Sequence, residues 1–360
     1  MKIYRTPSAA ILPDHNNTNT VEIWDGESLA RVLSGKAPCN FISVSVAPQI
    51  LTYHFNLINP LELPKVKAAL PGLAAALHAS VKQTESKTEH FALEVSRPER
   101  STVYFKTALL TNTFNSAGGL STLLGVDTGN STLTMNIAEA PHVLIAGATG
   151  SGKSVLLNTL ITSLLFKHTP ATLHMVLLDP KQVELSIYDG IPHLIKPVVR
   201  DTAKAISVLD DMCGLMDSRY KIMRKAGVKA ADALQLPPVV IVIDELADLM
   251  LTSKKAVEKS IVRIAQLGRA AGVHLVIATQ RPTVNVVTGL IKANIPCRIA
   301  LQTASVRDSV VILDHGGAEH LTGNGDGLLK LPDRVNTIRF QAAYIGTDDI
   351  TPVVDYWRKQ

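Results

Sequence analysis

The stretch HVLIAGATGSGKSVLLNTLITSLLF, residues 142–166, decides the fold. A short apolar run from His142 reads as a strand. Next, Gly147-Ala148-Thr149-Gly150-Ser151-Gly152-Lys153-Ser154 fits the phosphate-loop pattern G-x4-G-K-[ST] without a mismatch. From Ser154 to Phe166, Leu156, Leu157, Leu160, Ile161, Leu164 and Leu165 recur on one face of a helix. The glycines let the backbone curl so that successive N–H groups point at phosphate oxygens, and the helix N-terminus adds its positive dipole end. Residues 147–154, with Val155 behind them, are therefore expected to cradle a nucleotide. Lys153 would neutralise the β and γ phosphates, and the Ser154 hydroxyl would ligate Mg²⁺. Ser34-Gly35-Lys36 lacks the upstream glycine and reads as a turn.

Outward from this stretch, near-continuous apolar runs recur at TLHMVLLD (172–179), PVVIVID (238–244), GVHLVIAT (272–279) and CRIALQT (297–303). Runs without polar alternation suit parallel strands covered on both faces. Helical patterns lie between them, from about Ala203 to Lys225 and from about Ala256 to Ala271. Alternating strands and helices predict a doubly wound α/β core over residues 100–360. Upstream, FISVSVAP (41–48), LTYHFNLI (51–58) and FALEVS (91–96) read as strands and Leu61–Ser80 as a helix. Together they predict a small α+β domain over 41–99, closed by a polar break at Arg97-Pro98-Glu99-Arg100. The first forty residues, with NNTNT at 16–20, read as an irregular arm.

The run Val239–Ile243 ends in Asp244-Glu245, at the sheet edge where α/β proteins bind ligands. Paired with the phosphate loop, Asp244 is expected to hold Mg²⁺, mostly through water, and Glu245 to polarise the attacking water. An adjacent acidic pair points to hydrolysis rather than to kinase or nucleotide-switch chemistry. Gln280, at the end of the next strand, either senses the γ-phosphate or begins a loop; the sensor is the reading adopted. Asp179-Pro180-Lys181 closes a further strand and reads on spacing as a turn.

With 36 Lys and Arg against 31 Asp and Glu, the net charge of +5 over 360 residues tolerates a polyanionic partner without demanding one. Cys39, Cys213 and Cys297 are too few and too scattered for a disulfide framework or a zinc site. No apolar run approaches the roughly 18–20 residues of a membrane span, and the start lacks the apolar core of a secretory signal. The expected location is cytoplasmic. The cluster Arg219, Lys221, Arg224, Lys225 and Lys229 reads as a solvated helix face.

GATGSGKSVLLNTLITSLL, LLDPKQVELSIYDGIPHL, VIVIDELADLM, QLGRAAGVHLVIATQRPTVNVVTGLIKANIPCRI and VILDHGGAEHLTGNGDGLL together resemble the FtsK/SpoIIIE family of DNA translocases, over about residues 100–350. The unit at 41–97 more faintly resembles the small domain that precedes that motor. The resemblance implies a RecA-like motor that forms a homo-oligomeric ring, usually a hexamer, around double-stranded DNA and hydrolyses ATP at subunit interfaces. It implies an arginine donated to the neighbouring site, Arg269 first and Arg263 second, although either could decorate an exposed helix face. It also places Arg281 and Lys292 in DNA-gripping loops, where contacts go to phosphates and carry no sequence information. A further basic pair is common before Ile312-Leu313-Asp314; those positions hold Val306 and Val310 here, with Arg307 displaced by one. Neither a membrane region nor a winged-helix module is recognised in the chain, so it is not expected to choose a direction from DNA sequence by itself. Any loading or membrane partner would be separate. Conjugative DNA transfer, phage genome packaging, protein export and a non-hydrolysing scaffold are the competing roles. The phosphate-binding pair Arg281 and Lys292 weighs against export, and intact Lys153, Ser154, Asp244 and Glu245 weigh against the scaffold.

Overall fold

A computed structural model describes residues 4–15, 24–87, 89–97 and 101–360. The NNTNT run at 16–20 and positions 98–100 of the expected break lie outside the described residues. By contacts the chain divides into two compact units: the described residues of 15–103 with 126–131, and those of 1–14, 104–125 and 132–360.

The smaller unit contains α1 (Gly26–Ser34), β1 (Cys39–Val46), β2 (Ile50–Leu57), α2 (Leu63–Leu77), β3 (Val81–Lys87) and β4 (His90–Ser96). Its antiparallel sheet runs β1-β2-β4-β3. Tyr53, Phe55, Phe91 and Leu93 are wholly buried, and the Phe55 and Phe91 rings stack at 5.2 Å. Two expectations change. The supposed arm contains α1, capped by Asp25, whose carboxylate accepts from Ser28 N at 3.0 Å. Leu29, Ala30 and Leu33 are buried in the unit's core, which is why this stretch is helical rather than irregular. The sheet also has a fourth strand, β3, whose sequence VKQTESK carries no apolar pattern because it lies at the sheet's edge.

The larger unit contains α3 (Phe105–Leu109), α4 (Asn112–Ser116), β5 (Ser121–Asp127), β6 (Thr132–Asn136), β7 (His142–Ala146), α5 (Lys153–Lys167), β8 (His174–Leu178), α6 (Thr202–Ala226), β9 (Val239–Ile243), α7 (Leu246–Ala271), β10 (Val273–Thr279), α8 (Gly289–Asn294), β11 (Cys297–Leu301), α9 (Val306–Leu313), β12 (Asp326–Lys330), β13 (Ile338–Ala342) and α10 (Thr347–Arg358). Its nine-stranded sheet runs β6-β5-β13-β12-β11-β7-β10-β9-β8. The segment β11-β7-β10-β9-β8 is parallel, and β12 turns the sheet antiparallel against both β11 and β13. The doubly wound core is thus the one its apolar runs predict, extended into a mixed sheet by strands that the sequence did not announce. Every residue of β7, β9, β10 and β11 is buried, as two-sided coverage requires. Helix α7 starts ten residues before the expected Ala256 and changes direction at Ser253, whose φ of −157° is not helical.

Arg219 departs from the solvated face expected of its cluster. It is buried, and its Nη1 and Nη2 donate to the carbonyls of Ala271 (2.7 Å) and Pro237 (2.6 Å). A guanidinium here meets the negative end of the α7 dipole. Lys221, Arg224, Lys225 and Lys229 are exposed. No helix among the described residues is long and apolar enough to cross a membrane. All three cysteines are free and buried.

Three histidines are locked neutral inside this unit. Burial depresses His142 to about 3, and His274 and His193 each to about 4. His142 Nδ1 accepts from Leu275 N at 3.1 Å, and the His193 ring meets Trp357 edge-on at 4.4 Å. Because folding lowers these values, the unfolded chain binds more protons between about pH 6.5 and 4. The stabilisation is complete above that window and is lost as pH falls through it, at up to about 1.4 kcal/mol per pH unit for each histidine. The melting temperature should hold level from pH 8 to 7 and drop by several degrees by pH 5.5, before most carboxylates titrate. Equal melting at pH 7 and 5.5 would contradict the assignment.

Candidate active site

Parallel pairing brings the carboxyl ends of β8, β9, β10 and β7 to one edge of the sheet. The loop after β7 is tied on both sides: Gly147 N donates to Thr279 O at 3.3 Å and Ala148 N to Gln302 O at 2.7 Å. Gly152 has φ +99°, and a Cβ there would stand 2.6 Å from Gly325 N. Gly325, at φ +88°, in turn donates its N–H to Ser151 O at 2.8 Å. The turn Gly323-Asn324-Gly325 therefore forms one wall of the loop; a side chain on Gly152 would strike its backbone, and the positive φ of Gly325 favours glycine on the facing side. Ser151 Oγ is buried with no hydrogen-bond partner among the described residues. The loop opens onto a cleft of about 310 Å³, whose walls include Thr149, Val155, Gln280, Ala342 and Tyr344. Curled glycines, an orphaned buried hydroxyl and a helix N-terminus in an open cleft fit a bound polyphosphate.

Lys153, the first residue of α5, is 3% exposed and reaches past the end of β10 to Asp244, itself 1% exposed. Its Nζ donates to Asp244 Oδ1 at 2.6 Å and to Asp244 O at 2.9 Å. Burial pushes the Asp244 carboxyl above its ordinary value, and the Lys153 charge pulls the other way. Glu245 caps α7. Its Oε1 accepts from Thr279 Oγ1 at 2.7 Å and Ala247 N at 3.3 Å, and its Oε2 accepts from Lys181 Nζ at 3.0 Å. Gln280 N donates to both oxygens at 3.2 Å. Burial alone would raise this carboxyl, but the hydrogen bonds from Thr279 and Lys181 outweigh it and hold it below its usual range. Glu245 thus remains an anion at neutral pH. Gln280 also bridges to the loop, where its Oε1 accepts from Thr149 Oγ1 at 3.1 Å. Lys181 and Thr279 are members of this cluster that the sequence alone does not single out. The one available signal for Lys181 is that its strand ends beside the strand carrying Glu245.

The remaining candidates lie apart from this cluster. Arg263 is committed to Asp217 at 2.8 Å. Arg269, in the last turn of α7, is exposed and makes no side-chain hydrogen bond or ion pair among the described residues. Arg281 is exposed beyond the end of β10, and Arg307 is exposed on α9 beside the bare side chains of Val306 and Val310. Lys292, on α8, is instead bound to Asp314 at 2.9 Å, together with Arg298 (2.6 Å) and Lys330 (2.9 Å). Burial works against it, but hydrogen bonds from Lys330, Lys292 and Arg298 hold the Asp314 carboxyl well below the usual range. Three cations on one carboxylate leave a local excess of positive charge. Among the described residues no group of three or more His, Cys, Asp or Glu side chains could hold a metal.

Fold and site together define a P-loop ATPase. The FtsK/SpoIIIE family model matches residues 108–234 and 229–284. The chain is 39% identical over 333 residues to the DNA translocase FtsK of Campylobacter jejuni, a match that covers 89% of this chain and 35% of that protein. It belongs to the FtsK/SpoIIIE family. Among solved structures it is similar to the pCW3 conjugation coupling protein TcpA in its monomer form with ATPgS, at TM-score 0.64 and 22% identity, over 92% of this chain and 99% of that one. It is also similar to the cytoplasmic domain of the Thermomonospora curvata type VII secretion ATPase EccC, at TM-score 0.61 and 27% identity, over 71% of this chain and 34% of that one. The first of these likenesses is one of fold alone. The chain spans between about a third and a half of the length of the curated relatives it matches.

Proposed function

We propose that this chain is an ATP-driven motor that assembles into a ring of six subunits and moves double-stranded DNA through it in the cytoplasm. The observation that carries the reading is the convergence of Lys153, Asp244 and Glu245 on one sheet edge, within a chain 39% identical to a DNA translocase. The residues would divide the work as follows. The loop 147–154, with Val155, holds ATP, and Lys153 leaves Asp244 to meet the β and γ phosphates. Ser154 and Asp244 would then hold Mg²⁺, which would supply positive charge to offset that of the phosphates. With few protein ligands available, the metal would arrive with the triphosphate. Glu245, ionised and fixed by Thr279, Lys181 and Gln280, accepts a proton as water attacks, and the γ-phosphoryl passes to water to give ADP and phosphate. Gln280, bonded to both Thr149 and Glu245, is placed to couple the phosphate loop to the base.

Arg269 is the arginine we assign to the neighbouring subunit's site, because Arg263 is already neutralised by Asp217. Arg281 and Arg307 project from the scaffold free of ion pairs among the described residues. Lys292 belongs to a cationic cluster that a phosphate could share with Asp314. Such contacts suit a motor that must run on any DNA sequence.

Hydrolysis measured with Mg²⁺ at low salt should rise severalfold on adding linear double-stranded DNA. The Glu245→Gln protein should bind ATP with little change and lose at least about a hundredfold in turnover, in line with general-base loss. Hydrolysis indifferent to DNA would count against the track, and normal turnover in the Glu245→Gln protein would remove the base assignment.

Arg269→Ala should leave nucleotide binding intact and abolish turnover. Titrating it into wild-type protein should depress activity more steeply than its mole fraction, because each variant subunit would disable a neighbour. A strictly proportional decline would argue against action across a subunit interface.

A further inference from the structure

The cleft in front of the phosphate loop, about 310 Å³, is larger than a phosphate chain needs, and beyond the loop its lining is uncharged. Among the described residues, Lys153 is the one charged group lining it. Away from the loop's own residues the lining is Gln280, Asn324, Gly325, Ala342 and Tyr344. Tyr344 is unusual for an aromatic residue of a packed domain, being 46% exposed. It is nonetheless held in place. Its carbonyl accepts from Phe105 N at 2.9 Å, and the Tyr104 ring meets its ring edge-on at 6.4 Å and 81°. Its hydroxyl lies 3.4 Å from the position a Cβ would take on Gly346, so the backbone just before α10 packs at ordinary contact distance from the ring.

A half-exposed ring, braced from behind and lining a cleft that also holds a phosphate loop, has the features of a stacking platform. Aromatic rings bind planar bases through their π faces without reading hydrogen-bonding edges, because every base has such a face. Among the described residues no carboxylate lines the cleft, so nothing acidic there selects the donor edge of one purine over another.

We propose that Tyr344 is the surface on which the nucleotide base stacks, so that the base contributes affinity through this one ring; the proposal rests on the phosphate-loop reading above. It makes Tyr344 a substrate-positioning residue that touches the base and takes no part in the chemistry.

The test compares two probes on the same protein by calorimetry: ATPγS, which carries a base, and inorganic tripolyphosphate, which does not, each with Mg²⁺. Tyr344→Ala should weaken ATPγS binding about tenfold, equivalent to about 1.4 kcal/mol, and leave tripolyphosphate affinity within about twofold. Tyr344→Phe, which keeps the ring and loses the hydroxyl, should bind ATPγS like the wild type. Unchanged ATPγS affinity in Tyr344→Ala would overturn the proposal, as would equal losses for both probes, which would mean a distorted cleft. Wild-type protein that binds neither probe would overturn the phosphate-loop reading itself and this proposal with it. That outcome is distinct from wild-type protein that binds both while Tyr344→Ala does too.

Discussion

The ion pair between Lys153 and Asp244 ties the phosphate loop to the strand that ends in the Asp244-Glu245 carboxylates. Both groups are almost wholly removed from water. Breaking such a pair by deleting one partner leaves a buried charge without compensation, at a cost of about 3–5 kcal/mol. The constraint is topological as much as electrostatic. Lys153 follows β7 and Asp244 follows β9, strands that flank β10, and the two groups reach each other because all three strands run parallel. An antiparallel neighbour would have put one of the two groups at the opposite edge of the sheet. The pair also sets the terms on which a triphosphate can enter, since Lys153 can give up Asp244 only in exchange for other anionic oxygens, and Asp244 then needs a cation.

The second carboxylate depends on the same arrangement. Glu245 is neither loose nor solvated; it is fixed at both oxygens by groups from the ends of two neighbouring strands, Lys181 after β8, Thr279 at the end of β10 and Gln280 just beyond. Because Gln280 also bonds Thr149, a change at the loop has a short route to Glu245 through groups already in contact. The outward cations are not alike. Arg269, Arg281 and Arg307 keep their charge available, whereas Lys292 shares a carboxylate with Arg298 and Lys330.

The parts of this molecule that could be read from sequence are those where one residue type has one structural use. VVIVI at 239–243 is readable as a buried parallel strand because five consecutive β-branched apolar residues in so short a run suit a two-sided strand better than a helix. GATGSGKS is readable because each glycine answers a backbone need that other residues meet poorly, as the approach of Gly152 to Gly325 shows. Elsewhere the sequence is silent for physical reasons. β3 is an edge strand, so VKQTESK need bury little and shows no alternation. Arg219 is satisfied by backbone carbonyls of Ala271 and Pro237, and carbonyls carry no residue identity, so a buried structural arginine looks the same as its solvated neighbours. Lys181 follows β8 and Glu245 follows β9, strands distant in sequence and adjacent in the sheet, and only the strand order brings the two together.

The proposed conversion of hydrolysis at this edge into movement along DNA is tested most directly by displacement. A linear duplex carrying a bound third strand is incubated with the protein, Mg²⁺ and ATP, and release of the third strand is followed in time. Release should require ATP and be absent when ATPγS replaces it. DNA-stimulated hydrolysis that leaves the third strand bound would contradict the proposal, because the chain would then consume ATP on DNA without moving along it.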